Sequence, residues 1–332
     1  MGRAILAVWV LAVGTAAAAE RPSFLVVITD DQRHDALGVV QRAQGKQARF
    51  PWFETPNLDR LAREGTRFKN AFVVCSLCSP SRAAMLTGRY NHENGITGNR
   101  TPLPEDAATY ASLLREAGYE TGYIGKWHMD GQSGQRPGFD YSASFVGQGR
   151  YMDCPVEING ERTQTTGWVD DVSTNYAIDF LKRQSDKPFL LVVGYKTPHG
   201  PRRAESAPER LAGLYADATP KPPVSADDLA PYRRDEDDAR PRNRRGRPDM
   251  RAGMRVYFQL LKGVDENVGR LLETLEETGQ AKNTVVVFTS DNGYFLGEHG
   301  LGDKRAAYEE SIRIPLLVRL PGRTGGVTVD AM

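Results

Sequence analysis

Side chains able to do chemistry fall in a few short stretches of this chain. Asp30-Asp31 and Asp291-Asn292 are pairs of hard oxygen ligands, and Lys126, His128, His199 and Lys304 carry positive charge or a transferable proton. Three carboxylates and an amide, with no histidine–cysteine cluster among them, suit Ca2+ or Mg2+ rather than zinc. Brought together, such carboxylates repel strongly unless a cation lies between them. The cationic set would bind an anion and stabilise charge developing on a leaving oxygen. Taken singly, each group has a plainer role: Asp30-Asp31 in a turn or helix cap, a histidine after a strand in packing, a lysine in solvent.

The stretch Cys78-Ser79-Pro80-Ser81-Arg82-Ala83-Ala84-Met85-Leu86-Thr87-Gly88 adds a thiol. Ser79 suits an N-cap, Pro80 the first helical position and Gly88 the exit, so a helix is expected to begin just after Cys78. Residues 68–74 upstream read as a strand running into this loop. Cys78 then sits at a strand-to-helix turn near the positive end of the helix dipole, a natural anion site. Arg82, one helical turn along, can return to the same spot. A buried cysteine that only packs before an ordinary helix satisfies the same local features.

The elements that must carry these residues alternate. Residues 23–29 form a near-continuous apolar run, as expected of a strand buried on both faces, and end at Asp30. Thr55-Pro56 opens a helix closed by Gly65. Residues 105–117 read as a helix closed by Gly118, and 119–124 as a strand leading to Lys126 and His128. Residues 131–167 read as loops with a small hairpin. A helix over 172–183 precedes an apolar strand over 189–195, which leads to His199. Met254, Tyr257, Leu261, Val264, Val268, Leu272 and Leu275 keep helical spacing up to Gly279. Residues 284–289 read as a buried strand ending at Asp291, and 312–320 as a further strand. This order predicts an α/β sheet layered by helices. Polar residues recurring at the strands' carboxyl ends predict one site along that edge.

The 332 residues carry 43 basic and 42 acidic side chains, a formal net charge of +1. Nothing in that balance points to nucleic acid or a membrane surface. With 40% apolar residues the chain can bury a sizeable core, in one large domain or two smaller ones. Met1-Gly2-Arg3, the apolar run over 4–13 and Ala16-Ala17-Ala18-Ala19 read as a secretory signal peptide over residues 1–19. That places the mature chain, residues 20–332, outside the cell or in a periplasm, with no membrane anchor after cleavage. Cys75, Cys78 and Cys154 make no disulfide framework, although Cys75 and Cys154 are available to pair. Residues 202–249, rich in Pro, Arg, Asp and Glu without periodicity, are expected to form a long charged surface loop. Its basic cluster at 240–247 reads as a solvated face.

Cys78, Pro80, Ser81, Arg82, Leu86, Thr87, Gly88 and Arg89 together resemble the signature of the type I sulfatases, in which a dedicated enzyme oxidises the cysteine to formylglycine. Asp30-Asp31, Gly125-Lys126-Trp127-His128, Pro198-His199, Ser290-Asp291-Asn292-Gly293 and Lys304 resemble that family's other motifs, in its order, over residues 22–322. The resemblance implies an alkaline-phosphatase-like fold, a large mixed and mostly parallel sheet with helices on both faces. It implies one Ca2+ held by Asp30, Asp31, Asp291, Asn292 and the modified Cys78. Formylglycine hydrate would attack sulfur, with Arg82 orienting it. Lys126, His199 and Lys304 would bind sulfate, and one of the last two would protonate the leaving alcohol. His128 would help the hydrate collapse back to aldehyde. The implied partner is a formylglycine-generating or anaerobic sulfatase-maturating enzyme.

Tyr90-Asn91-His92-Glu93-Asn94-Gly95, Gly147-Gln148-Gly149-Arg150-Tyr151, Asn159-Gly160 and Tyr294-Phe295-Leu296-Gly297-Glu298-His299-Gly300 are similar to stretches of secreted carbohydrate sulfatases, nearest to N-acetylglucosamine-6-sulfatases. This implies a sulfated glycan or sugar as substrate, with His92, Glu93, Asn94 and Arg203 lining its pocket. Members of the family continue into a smaller C-terminal subdomain, so this chain is expected to lack that part. The alternatives are a phosphonate or phosphodiester hydrolase with the same nucleophile, and a truncated, inactive glycan-binding remnant.

Overall fold

The computed structural model describes residues 21–183, 185–225, 250–323 and 325–331. The signal peptide expected at residues 1–19, the 226–249 part of the charged loop and the basic cluster at 240–247 lie outside the described residues. The strands are β1 (Ser23–Thr29), β2 (Thr66–Phe72), β3 (Glu120–Lys126), β4 (Tyr141–Phe145), β5 (Val156–Ile158), β6 (Glu161–Thr163), β7 (Phe189–Gly194), β8 (Thr284–Ser290), β9 (Phe295–Leu296), β10 (Gly302–Asp303), β11 (Arg313–Arg319) and β12 (Val327–Val329). The helices are α1 (Gly38–Gln44), α2 (Pro56–Glu64), α3 (Cys78–Thr87), α4 (Asn91–Asn94), α5 (Tyr110–Glu116), α6 (Val169–Leu181), α7 (Met250–Glu277) and α8 (Glu309–Ile312).

Among the described residues, ten strands form one sheet in the order β12-β2-β11-β8-β1-β7-β3-β4-β5-β6. Its centre, β8-β1-β7-β3-β4, is parallel throughout, and β11, β5 and β6 add antiparallel pairings on the flanks. Parallel neighbours need long crossovers, which the helices supply. The two-residue period of β1 sorts its side chains between two cores. Leu25 and Val27 pack with Leu58 and Leu61 of α2, Phe180 of α6 and Val264 and Val268 of α7. Ile28 packs on the other face with Ala83 and Leu86 of α3 and Ala111 of α5. Helices therefore cover both faces, the layering that the alternating pattern predicted.

Several boundaries differ from the sequence expectation, each for a local reason. The helix expected over 105–117 is only α5, because Thr109 and Ser112 cap each other: Ser112 N donates to Thr109 Oγ1 at 3.1 Å and Thr109 N to Ser112 Oγ at 3.0 Å. That reciprocal cap sets the first turn. Residues 131–167 hold more than loops and a hairpin. β5 and β6 form the hairpin, turning at Asn159-Gly160 with φ of 51° and 94°, as Asn-Gly turns do. β4, however, joins the parallel sheet, and its Tyr-Ser-Ala-Ser-Phe sequence is too polar to announce a buried strand.

Gly125 sits in β3 with φ of 88°, and a Cβ there would collide with the carbonyl of Gly194 on β7. Gly125→Ala is expected to cost about 3 kcal/mol in chemical denaturation, from the strained φ and the forced separation of backbones. An unchanged midpoint would show that β3 and β7 can part there at no cost.

Candidate active site

The parallel strands deliver the polar residues to one edge. Asp30 and Asp31 follow β1, Lys126 ends β3 with His128 two residues on, His199 follows β7, and Asp291 and Asn292 follow β8. Lys304 reaches in from the turn after β10, and α3 brings Cys78 and Arg82. The helix begins at Cys78 itself, with extended Leu77 as its N-cap, so the cysteine occupies the first turn rather than preceding it. Ser79 is not the cap because its hydroxyl is used elsewhere, donating to the His128 carbonyl at 2.6 Å. Gly88 closes α3 in the left-handed conformation with φ of 65°.

Charge at the edge is paired group by group. Lys126 Nζ binds Asp30 Oδ2, and Lys304 Nζ binds Asp31 Oδ1. Arg82 Nε donates to Asp291 Oδ2 at 2.8 Å and its Nη1 to the Lys126 carbonyl at 2.7 Å. Cys78 is fully buried between Asp30, whose Oδ1 is 3.5 Å from Sγ, and Lys304, whose Nζ is 3.1 Å away. Asp31 and His128 hold φ of 73° and 56°, a costly backbone region for such residues and one that clusters at functional sites.

These contacts set the proton affinities. Burial raises the Asp30 carboxyl, but Lys126, His199, Lys304 and Arg82 outweigh it and hold the group well below the usual range. Asp31 is likewise held low, Lys304 overcoming burial. Asp291 goes the other way: burial and the neighbouring Asp30 push it up to about 7. Burial and then Asp30 push the Cys78 thiol up to about 12. Burial opposes the charge on Lys304, yet Asp31 and its neighbours hold its pKa well above the ordinary lysine value. Burial, reinforced by Lys126, drives His128 down to about 2, and burial lowers His199 too.

The donor set fits a hard cation. Asp30, Asp31 and Asp291 each offer an oxygen within 4.8 Å of the others. Asn292 Nδ2 donates to Asp31 Oδ1 at 2.7 Å, while its Oδ1 is buried without a hydrogen-bond partner. A buried orphan oxygen beside three carboxylates is what Ca2+ or Mg2+ would satisfy.

Other residues named from the sequence lie further out. His92 and Glu93 are exposed on α4, where Glu93 Oε2 accepts from Tyr90 N at 3.1 Å and His92 stacks on Tyr90. Asn94 Nδ2 bonds Thr87 Oγ1 and the Arg89 carbonyl. Arg203 is exposed beside Glu205. Its neighbour Arg202 turns inward instead. Arg202 Nε donates to the Pro198 carbonyl at 2.7 Å, Nη2 lies 3.6 Å from Asp31 Oδ2, and the guanidinium rests 3.9 Å over Tyr294 and 5.0 Å over Tyr257. Sequence reasoning missed Arg202, since adjacent residues of an extended segment face opposite ways and nothing in Arg-Arg says which points in. It also missed the role of Gln148, which contacts both Lys126 and His128; the flanking Gly147 and Gly149, each at φ 60°, were the available signal. Cys75, Cys78 and Cys154 are all free thiols.

Ionisable groups gathered at the carboxyl edge of a mostly parallel sheet, covered by helices on both faces, define an open-sheet α/β protein with its site at the strand ends. Within that class the chain belongs to the sulfatase family, whose model, Sulfatase, matches residues 22–330. It is 33% identical to an N-acetylglucosamine-6-O-sulfatase of Bacteroides thetaiotaomicron, over 91% of this chain and 63% of that protein. It is 32% identical to an ulvan-active sulfatase of Formosa agariphila, over 94% of this chain and 59% of that one. A solved structure of a protein in complex with its substrate D-glucosamine-2-N,6-O-disulfate matches with a TM-score of 0.80 and 31% identity, over 94% of this chain and 74% of the other. The chain thus spans less than two thirds of the length of either curated relative.

The two adjacent arginines should separate in a stability measurement. Arg202→Ala is expected to lose about 2–3 kcal/mol of unfolding free energy in urea, through its two aromatic faces and its carbonyl bond. Arg203→Ala should stay within about 0.5 kcal/mol of wild type. Equal losses would contradict the inward placement of Arg202.

Proposed function

We propose that the chain is a calcium-dependent sulfatase that hydrolyses sulfate esters on a sulfated glycan or sugar such as N-acetylglucosamine-6-sulfate, with Cys78 matured to formylglycine. The observation that carries this is the setting of Cys78. Its thiol is enclosed and pushed up to about 12, so it is protonated and a poor nucleophile at neutral pH. Yet it stands where the cation ligands and the anion-binding groups meet. A site built around an inert thiol makes sense if residue 78 works in another chemical form.

Asp30, Asp31, Asp291 and Asn292 would hold the ion. Bound Ca2+ supplies charge that lowers the pKa of a coordinated hydroxyl and polarises a sulfate oxygen. Formylglycine supplies a hydrate, with one hydroxyl to attack sulfur and a second to release sulfate afterwards. Arg82, anchored to Asp291 and the Lys126 carbonyl, orients residue 78. Lys126 and Lys304 bring two ammonium groups to the same space and would bind sulfate oxygens. His199 Nδ1 donates to the Gly200 carbonyl at 2.7 Å, which leaves Nε2 for the leaving oxygen; Nε2 would carry a proton to give in the imidazolium form, which the negative charge of bound sulfate favours. Lys304 holds its proton too firmly to be a good acid, which favours His199 for protonating the alcohol.

Relatives named for N-acetylglucosamine-6-O-sulfate and a neighbour solved with a 6-O-sulfated glucosamine support this class of substrate. His92, Glu93, Asn94 and Arg203 are the proposed sugar contacts. The signal peptide proposed at residues 1–19 would direct the protein to a periplasm or outside the cell. No helix among the described residues is long and apolar enough to cross a membrane. Because Cys78 is fully buried, a formylglycine-generating or anaerobic sulfatase-maturating enzyme would have to reach it before the chain folds.

Co-expression with such a maturating enzyme should give a Cys78 peptide whose mass is that of formylglycine, and sulfate release from N-acetylglucosamine-6-sulfate. Cys78→Ser should lose turnover, a calcium chelator should abolish it reversibly, and Lys126→Ala should lower kcat on the order of 100-fold. Modified protein that releases no sulfate from any of a panel of sulfated sugars would sink the proposal.

A further inference from the structure

The side chain of Gln148 lies between two groups of the proposed machinery. Lys126 Nζ donates to Gln148 Oε1 at 2.6 Å, and Gln148 Nε2 lies 2.9 Å from His128 Nε2. The Gln148 carbonyl accepts from Lys196 Nζ at 2.9 Å, which anchors the loop. An ammonium group has only protons to offer. The amide must therefore present its oxygen to Lys126 and its NH2 to His128. The imidazole nitrogen facing that NH2 has to be an acceptor, and the ring proton has to sit on Nδ1. His128 Nδ1 is itself buried with no hydrogen-bond partner, so that N–H is uncommitted.

We propose that Gln148 is a positioning residue that fixes His128 as its neutral Nδ1–H tautomer, capping Nε2 and leaving Nδ1–H as a donor for the active site. The constraint propagates from Asp30, which holds Lys126, through Gln148 to the ring. Protonating His128 would set an Nε2–H against the amide NH2. Turning the amide over relieves that clash only by setting the NH2 against the Lys126 ammonium. Gln148 thus couples the charge of Lys126 to the neutrality of His128. The other charged or titratable groups acting on the ring are Asp30, Arg82 and His199, from three separate elements. In the sulfatase cycle, on which only this consequence rests, His128 would start as a donor to an oxygen at residue 78 or on sulfate. It could serve as a base at Nδ1 only after the amide turns over and the ring proton moves to Nε2.

Histidine-selective 15N labelling tests the assignment directly, because the chain has five histidines. The His128 signals are identified by their loss in His128→Asn. In the wild-type protein, long-range 1H–15N couplings should show Nδ1 protonated and Nε2 bare. In Gln148→Glu the carboxylate can only accept, so the proton should move to Nε2. A proton on Nε2 in the wild type overturns the proposal, as does an unchanged tautomer in Gln148→Glu. Should the Glu variant not fold, the wild-type spectrum alone decides. The measurement needs neither matured Cys78 nor substrate, so it stands or falls separately from the sulfatase activity.

Discussion

Three carboxylates buried at one sheet edge are the constraint from which the rest of the site follows. Asp30 and Asp291 are fully buried and Asp31 nearly so. Taking an ion out of water costs several kcal/mol even after relaxation, about the scale of a domain's whole stability when three are taken together. Each is therefore matched by its own cation: Lys126 on Asp30, Lys304 on Asp31 and Arg82 on Asp291. Arg202, with Nη2 3.6 Å from Asp31 Oδ2, brings a fourth cation to the same edge, so the side chains there carry positive charge in excess of the carboxylates, as a site for an anion requires.

Meeting that constraint dictates strand register. Thr29 lies beside Ser290 and Ile28 beside Gly194, so the chain leaves β1, β8 and β7 at one level and Asp30, Asp291 and the segment leading to His199 emerge together. Gly125 lies beside Gly194 in the β3–β7 ladder. A side chain at Gly194 would strike the Lys126 carbonyl, the Tyr123 hydroxyl and Arg82 Nη1. The two glycines are what allow the Lys126 carbonyl and the guanidinium to approach each other, and that contact fixes α3 and hence Cys78. A rule about backbone space and a rule about charge meet at the same atoms.

The parts of this arrangement that were legible in the sequence are those governed by local rules. Buried parallel strands announce themselves as apolar runs, and β1, β7 and β8 lie within a residue of where their runs predicted. Gly88 and Gly118 end helices because left-handed backbone favours glycine. What escaped depends on tertiary competition. Ser79 looked like an N-cap until the His128 carbonyl claimed its hydroxyl. β4 is a strand because β3 offers it an edge, not because Tyr-Ser-Ala-Ser-Phe prefers to be one. Arg202 and Arg203 are chemically the same, and only packing against Tyr257 and Tyr294 tells them apart. Gln148 is an ordinary amide until two ionisable neighbours read its two ends differently.

The same logic explains an apparent contradiction at Cys78. A helix start and nearby lysines ordinarily depress a thiol's pKa and make a reactive thiolate. Cys78 occupies the first turn of α3 with Lys304 Nζ beside its sulfur, yet its thiol is pushed upward. Burial is the larger effect and Asp30 adds its own repulsion; Lys126 and Lys304 pull the other way but are outweighed, each being paired with a carboxylate of its own. A site evolved to use a thiolate would not place the sulfur against a carboxylate. Negative charge held beside residue 78 is a poor setting for S⁻ but a good one for a cation that an oxygen on the same residue could share.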